Sequence, residues 1–575
     1  MERAARTPPP ISGGTLLLMD DGRTAVASDP DLDLVHVVDL EGKRVLHSIE
    51  LPEGDEPGRV VADDRGIVHV VARRGGAVLD IDPERGRVLE RRMVCANPRG
   101  IAFEAERGAL HVACAGGDLV TLPVGGGAPS RRVWLGPDLR DVLLVDGRLA
   151  VTRFRSAHLL WLDRDGKVIE TEAPPTLFKA DEFDGRSHHL RPNSAWRTIA
   201  TPTGKWLMAH QMSTTKVVDD MQGGGSEDGG GGGGGYGGGP FDPPCGAVVD
   251  SVITLGDEGF AIRSSGLLDE TVLPVDVAVS TTGAWVAVAV AGRQDNELSD
   301  PGVLRLATSS FTDDTDPGCT EPHPVPVVPG QYVAVAFDPE GYIVAQSREP
   351  AQIVRVNPEY GEIQDVISLP GQSRLDTGHE LFHRDAGQAI ACASCHPEGG
   401  DDGRVWRLAP AMLRHTPALA VGLRGTEPFH WVGDLPDMSA LVDEVHVHRM
   451  GGHPLSDERV EALQSWMFSI PPLRPRRSSS DAAARRGAAS FVAWGCGDCH
   501  RGASLDGGPD NVDLGLGLPL QVPPLRGVAL HPPYMHDGRA ADLREAVLDM
   551  LVLTRPGLDP SDDALDDVIA YLESL

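Results

Sequence analysis

Two short runs of this 575-residue chain carry residues whose types and spacing amount to chemistry: CASCH, with Cys392, Cys395 and His396, and CGDCH, with Cys496, Cys499 and His500. Two cysteines three positions apart can form thioethers to the two vinyl groups of one haem, and the adjacent histidine then turns its imidazole to the iron. Zinc is the alternative reading of any cysteine pair so spaced. Here each pair is followed at once by histidine, and the two runs lie too far apart for a compact zinc knuckle. Both therefore read as c-type haem attachment sites, with two covalently bound haems as cofactors and His396 and His500 as iron ligands.

Haem held this way needs short helices around it, and the sequence after Pro370 turns to helical periodicity. A short helix is expected before each motif, at Leu381–Phe382 and Ala488–Trp494. A closing helix is expected after each, at Leu455–Ile470 and in the last stretch LDPSDDALDDVIAYLESL, both opening on a Ser or Asp cap. Between them PPLRPRRSSSDAAARRG has the composition of a linker. Residues 371–472 and 487–575 read as two tandem, all-α cytochrome c-like domains, with 473–486 joining them.

The first 370 residues have another texture. Alternating apolar runs recur as DLVHVVDL, GAVLDIDP, GDLVTLPV and AHLLWLDR, then more loosely as GAVVDSVITL, GVLRLAT and AQIVRVNP. Each follows a second period-2 strand such as WVAVAVA or YVAVAF, the pattern of half-buried sheet. A spacing of about 40 residues is the period of a four-stranded propeller blade, and the copies add up to about seven blades. The fold class expected is thus multidomain: an all-β propeller followed by the α-helical haem half. The glycine run in Met221–Pro240 lacks any phosphate-binding signature and reads as a blade loop. His188, His189 and His210 gather near it; surface and loop histidines are the simpler account than a metal site.

Charge and cysteines bound the setting. A formal net charge of −32 repels phosphate and excludes nucleic acid as a partner. No run is long and apolar enough to span a membrane. Haem attachment implies a periplasmic or otherwise exported protein, although MERAARTPPPISGGTLLLMDDG contains no signal-peptide apolar stretch. The four cysteines outside the haem motifs form an even set, as in exported proteins with disulfides. Proximity pairs Cys95 with Cys114 and Cys245 with Cys319.

Two resemblances follow from these residues. The first blade copy, DDGRTAVASDPDLDLVHVVDLEGKRVLHSIEL, resembles propellers of the YVTN kind. Downstream of the second haem motif, VPPLRGVALHPPYMHDGRAADLREAVLDM is similar to the signature of bacterial di-haem cytochrome c peroxidases and the related MauG enzymes, and RHTPALAVGLRGTEPFHWVGDLPDMSALVDE is its counterpart in the first haem domain. The resemblance implies that hydrogen peroxide is reduced at the first haem with electrons relayed through the second. The electrons would come from a small cytochrome c or a cupredoxin. A MauG-like enzyme would instead oxidise a protein substrate docked on the propeller, and a di-haem electron carrier is the non-enzymatic rival. By the same resemblance Met550 is the sixth ligand of the second haem, with Tyr534 and His536 as alternatives. Trp431 lies between the haems, Arg526 and Arg539 pair with propionates, and Glu444, beside Asp443 and the run His446, His448 and His453, serves as the acid–base. A histidine that many members carry past the first motif is missing near Met412, and His415 belongs to a turn. That departure implies an open face on the first iron. The family also allows a calcium ion between the haem domains.

Overall fold

A computed structural model of the chain describes residues 1–180, 187–218, 245, 247–257, 262–292, 302–316, 318–408, 412–508, 510–515 and 517–575. The glycine-rich stretch Met221–Pro240 lies outside these. The chain divides into two compact units, with the dividing point between Ser394 and Cys395.

The first unit is a β-propeller. Six four-stranded antiparallel sheets recur, five of them made from one contiguous length of chain, and a seven-stranded sheet stands between the fourth and the fifth of them. The inner strands are Leu16–Leu18, Pro57–Ala62, Pro98–Glu104, Leu139–Val145, Ser187–Ala200, Pro274–Val279 and Tyr332–Phe337. Each lies against the next, and the last returns to the first, so the ring closes. The repeated apolar runs are the third strands of their blades, as in Leu34–Asp39, Ala77–Asp82 and Asp118–Pro123. Outer strands such as Arg44–Glu50 and Arg87–Met93 show water on alternate residues. That is the period-2 pattern of a strand with one wet face.

Regular blades number six rather than about seven. The run expected to form a further blade, in Gly246–Leu255, supplies the strand Val249–Gly256 of the wider sheet. Short strands Arg263–Ser264 and Leu267–Leu268 add to it, and Cys319–Thr320 joins in parallel from the stretch between the third and fourth strands of the following blade. A blade count taken from spacing cannot see strands two residues long.

Apolar layers between neighbouring sheets hold the ring. Val26, Val35 and Val37 meet Val68, Val70 and Leu79 between the first two blades. Ala25, Ala27 and Val38 meet Val344, Ile353 and Ile367 where the last blade returns to the first. Complete burial of each valine or isoleucine contributes about 1.5–3 kcal/mol. Two disulfides add to this: Cys95 with Cys114, and Cys245 with Cys319, the pairs that proximity suggested.

The suggested histidine cluster does not form. His189 stacks on Phe178 with ring centroids 4.6 Å apart, whereas His210 is fully buried and bonds Thr254 Oγ1 at 2.8 Å. Burial pulls His210 down to about 4, and His383, in the helix Thr377–His383, down to about 3. Both rings are neutral in the folded chain and take up protons more readily once unfolded. Their stabilisation is complete above the ordinary histidine value of 6.5 and is lost as pH falls from there toward about 3. Denaturant titrations are expected to show stability falling by about 1 kcal/mol per pH unit for each ring below pH 6, and replacing His210 with Gln should flatten that slope.

The second unit has short helices and a two-stranded hairpin, Val405–Leu408 with Met412–His415. The helices are Met438–Leu441, which runs into a π-helical stretch Val442–Arg449, then Asp457–Met467, Ala482–Ala493, Leu543–Thr554 and Asp562–Leu572. Asp481, Asp542 and Ser561 cap their helices by accepting from backbone N–H groups two or three residues on. Ala482–Ala493 packs closely on Asp562–Leu572, around Phe491, Val568 and Leu572. Gly487 permits that approach, since a Cβ there would fall 1.8 Å from the Asp567 carbonyl oxygen. Gly487→Ala is therefore expected to destabilise this unit by about 1–3 kcal/mol, as a lowered denaturant midpoint with the propeller transition unchanged. Among the described residues no helix is long and apolar enough to cross a membrane.

Candidate functional site

The four cysteines of the two CxxCH runs are the ones left out of the disulfides, and all are partly buried. Cys392 and Cys395 bracket a one-turn helix, Cys392–Cys395, whose Ser394 hydroxyl accepts from the Ala391 N–H at 3.1 Å. Cys496 opens a 3₁₀ turn after Gly495, which takes a left-handed φ of 76°. Burial pushes the Cys392 thiol up to about 12 and the Cys496 thiol upward too.

The two histidines are oriented in the same way. His396 Nδ1 lies 3.2 Å from the Gly400 carbonyl oxygen, with the Pro417 carbonyl also in reach. His500 Nδ1 lies 3.0 Å from the Leu505 carbonyl, with that of Pro523 beside it. Burial lowers both rings' proton affinity, so each is a neutral imidazole. A ring that donates Nδ1–H to a carbonyl is fixed in the tautomer that leaves Nε2 free for a metal. Thiols and imidazoles alike fit covalently held haem.

Trp431 joins the surroundings of these two histidines. Its indole N–H donates to the His415 carbonyl at 2.7 Å, two residues before Pro417. Its own carbonyl accepts from Gln521 N–H at 2.9 Å, two residues before Pro523. His415 N–H in turn donates to the His536 carbonyl at 2.7 Å, and the Trp431 and His536 rings meet edge to face at 6.4 Å. A route of hydrogen bonds and short backbone segments thus runs from the His396 side to the His500 side through one tryptophan.

The other expected residues stand as follows. Met550, on the helix Leu543–Thr554, is partly exposed and lies outside the apolar cluster that includes Leu543, Ala546, Val547 and Met535. Arg539 is tied to Asp537 at 2.9 Å and Asp549 at 2.7 Å, while Arg526 donates to the Ala503 carbonyl. Either guanidinium must turn to meet a propionate. Glu444 sits in the π-helical stretch and accepts from Arg449 at 2.8 Å with its side chain 39% exposed. His446 is buried, and His448 bonds the Asp443 carbonyl. Met412 lies on the hairpin, 37% exposed.

Sequence reasoning missed Asp401. It is buried, takes a 2.5 Å hydrogen bond from His531 Nδ1 and lies 3.7 Å from His415 Nε2. Its neighbour Asp402 is fully buried and pushed up to about 7 by that burial. With Asp401 committed to imidazoles, the pair is no oxygen cage of the kind calcium takes. Among the described residues the group of three side chains best placed for one ion is Cys245, Asp269 and Cys319, and its sulfurs are joined.

No protein-family profile matches the chain, and no curated protein matches it. Among solved structures, hydrazine synthase of Kuenenia stuttgartiensis is similar with TM-score 0.43 and 16% identity, over 64% of this chain and 98% of that one. A streptogramin B lyase gives TM-score 0.37 and 9% identity over 59% and 92%. The Cps50 (Swd1) β-propeller domain of Myceliophteria thermophila gives 0.37 and 11% over 62% and 97%. These likenesses carry no weight for activity, which has to be argued from the site.

Proposed function

We propose that the chain is an exported di-haem c-type oxidoreductase that reduces hydrogen peroxide on the His396 side with electrons entering on the His500 side. Cys392, Cys395 and His396 would hold one haem, and Cys496, Cys499 and His500 the other, with Met550 as a further ligand of the second. Bound haem supplies the redox chemistry, by which peroxide takes up two electrons and two protons and leaves as two waters. The observation that carries this reading is the matched carbonyl environment of the two histidines, bridged by Trp431.

The chain's own residues would do the rest. Gly400 and Leu505 fix the tautomer of each imidazole. Trp431, pinned at both its N–H and its carbonyl, keeps a conjugated ring at a constant position between the two sides. Glu444 is the carboxylate proposed to move the proton between peroxide oxygens, with Arg449 setting its direction. The acidic surface suits a basic electron donor, a small cytochrome c or cupredoxin, and the propeller is the proposed docking domain.

Haem content by pyridine haemochrome and peroxide-dependent oxidation of a reduced donor test this directly. Trp431→Phe is expected to keep both haems and slow electron passage between them by ~10–100-fold. Two haems with no response to peroxide would leave an electron carrier, and a chain that takes up no haem would end the reading.

A further inference from the structure

The inner strands of the propeller repeat a charge that the haem reading does not use. Four in succession carry an arginine: Arg59 in Pro57–Ala62, Arg99 in Pro98–Glu104, Arg140 in Leu139–Val145 and Arg197 in Ser187–Ala200. These strands neighbour one another around the ring, so their side chains converge at its centre. Arg59 and Arg140 both donate to the Trp196 carbonyl, at 3.0 and 3.2 Å. Arg59 and Arg197 share Asp141 at 3.0 and 2.9 Å, and Arg197 also reaches Asp276 at 3.2 Å. Of these two carboxylates, Asp141 comes from one of the same four strands and Asp276 from the next inner strand, Pro274–Val279. Asp138 and Glu56 attract Arg99, but Asp138 also serves Arg155, and Glu56 serves Arg73 and Arg74. Burial and the neighbouring arginines hold Arg140 well below its ordinary value and bring Arg99 down to about 9. In a chain of net charge −32 this is a concentrated positive centre.

A strap from the start of the chain lies on it. The Ser12 carbonyl accepts from Arg59 at 3.3 Å and Arg140 at 2.9 Å, and the Gly13 carbonyl accepts from Arg59. A buried histidine anchors the strap: His383 Nε2 accepts from Ile11 N–H at 3.2 Å, and the buried His379 ring lies beside Pro9. They come from HELFH, whose spacing on a helix suits zinc, but their rings are stacked at 4.1 Å and engaged with the strap. Beside the positive centre, along the strap, is a cavity of about 30 Å³ whose lining includes Arg73 and two buried ion pairs, Arg348 with Asp31 and Arg374 with Asp29. Guanidinium groups attract an anionic oxygen by charge as well as by hydrogen bonding, and their planar fork matches a phosphate edge.

We propose that the centre of the propeller ring is a binding site for a small tetrahedral oxyanion of the phosphate class, and that residues Pro9–Gly13 are its resident competitor. Arg59, Arg99 and Arg140 supply the donors, and the strap carbonyls hold the place the anion's oxygens take. The site owes nothing to haem, so it stands or falls apart from the proposed activity.

The test is calorimetric titration of the full chain with inorganic phosphate and with sulfate, at ionic strength held constant by chloride. One saturable site per chain is expected, weakened at least about tenfold in Arg99→Gln and Arg140→Gln. Gly13→Ala retains every arginine and would place a Cβ 2.2 Å from the Val275 carbonyl oxygen. It should lift the strap and tighten phosphate binding, which keeps the test open should an arginine variant fail to fold. Heats no greater than those of chloride, in both the wild-type chain and Gly13→Ala, would overturn the proposal and leave the arginines as anchors for the strap alone. Unchanged affinity in Arg99→Gln and Arg140→Gln would overturn it equally.

Discussion

On the proposed function, His396→Ala would leave two haems covalently attached and reduce peroxide turnover at least ~100-fold, since the imidazole that would hold the first haem's iron is gone. Thioether bonds do not depend on the histidine, so the pyridine haemochrome count should stay at two per chain. His500→Ala should also retain both haems but behave differently. It should allow a single reaction with peroxide from the reduced state and then stall, because the relay side is broken while the peroxide side is intact. Stopped-flow mixing of pre-reduced protein with peroxide separates the two. If both variants lose the same step to the same degree, the division of labour between the sites is wrong.

Removing the Cys245–Cys319 disulfide is the change expected to cost most stability. It closes a sequence separation of 74 residues and fastens the short parallel strand Cys319–Thr320 to the edge of the widest sheet. Loop-closure entropy alone predicts a loss of about 4 kcal/mol for that separation, against about 3 kcal/mol for the 19 residues between Cys95 and Cys114. Urea titrations of the two double Cys→Ala variants, with the haem motifs left intact, should show the larger drop for the first. The reverse order would mean that local packing around Cys114, at 1% exposure in a blade interface, outweighs chain entropy.

Much of this molecule could be read from sequence because it repeats. Third strands such as Ala77–Asp82 are buried along their whole length, and their partners alternate, so sheet periodicity survives in the letters. The closing helix after the second motif announces itself through Ser561 as its cap, whereas the helix before the motif, expected from Ala488, starts at Ala482 inside the stretch read as linker. What stayed hidden depends on distance along the chain. His531 and Asp401 are 130 residues apart and look like ordinary loop residues until the fold joins them. Arg59, Arg99 and Arg140 each read as a surface arginine before a strand, and only ring closure turns them into a group.

Among the described residues no strand passes between the first and last blades, and five of the six regular sheets are each a single uninterrupted length of chain, the fifth lending Cys319–Thr320 to its neighbour. Closure rests instead on side-chain and strap contacts, among them Gly14 N–H to the Val333 carbonyl, Thr15 to Gln346, and the buried ion pair of Arg374 with Asp29. Most contacts within a blade are therefore local in sequence, and the one long-range event is joining the ends. Such a chain folds blade by blade with a low entropic barrier at each step, and its slow step is sealing the ring. Moving the termini to another inter-blade loop should leave the rate of blade formation almost unchanged, and alter chiefly the rate of that last event.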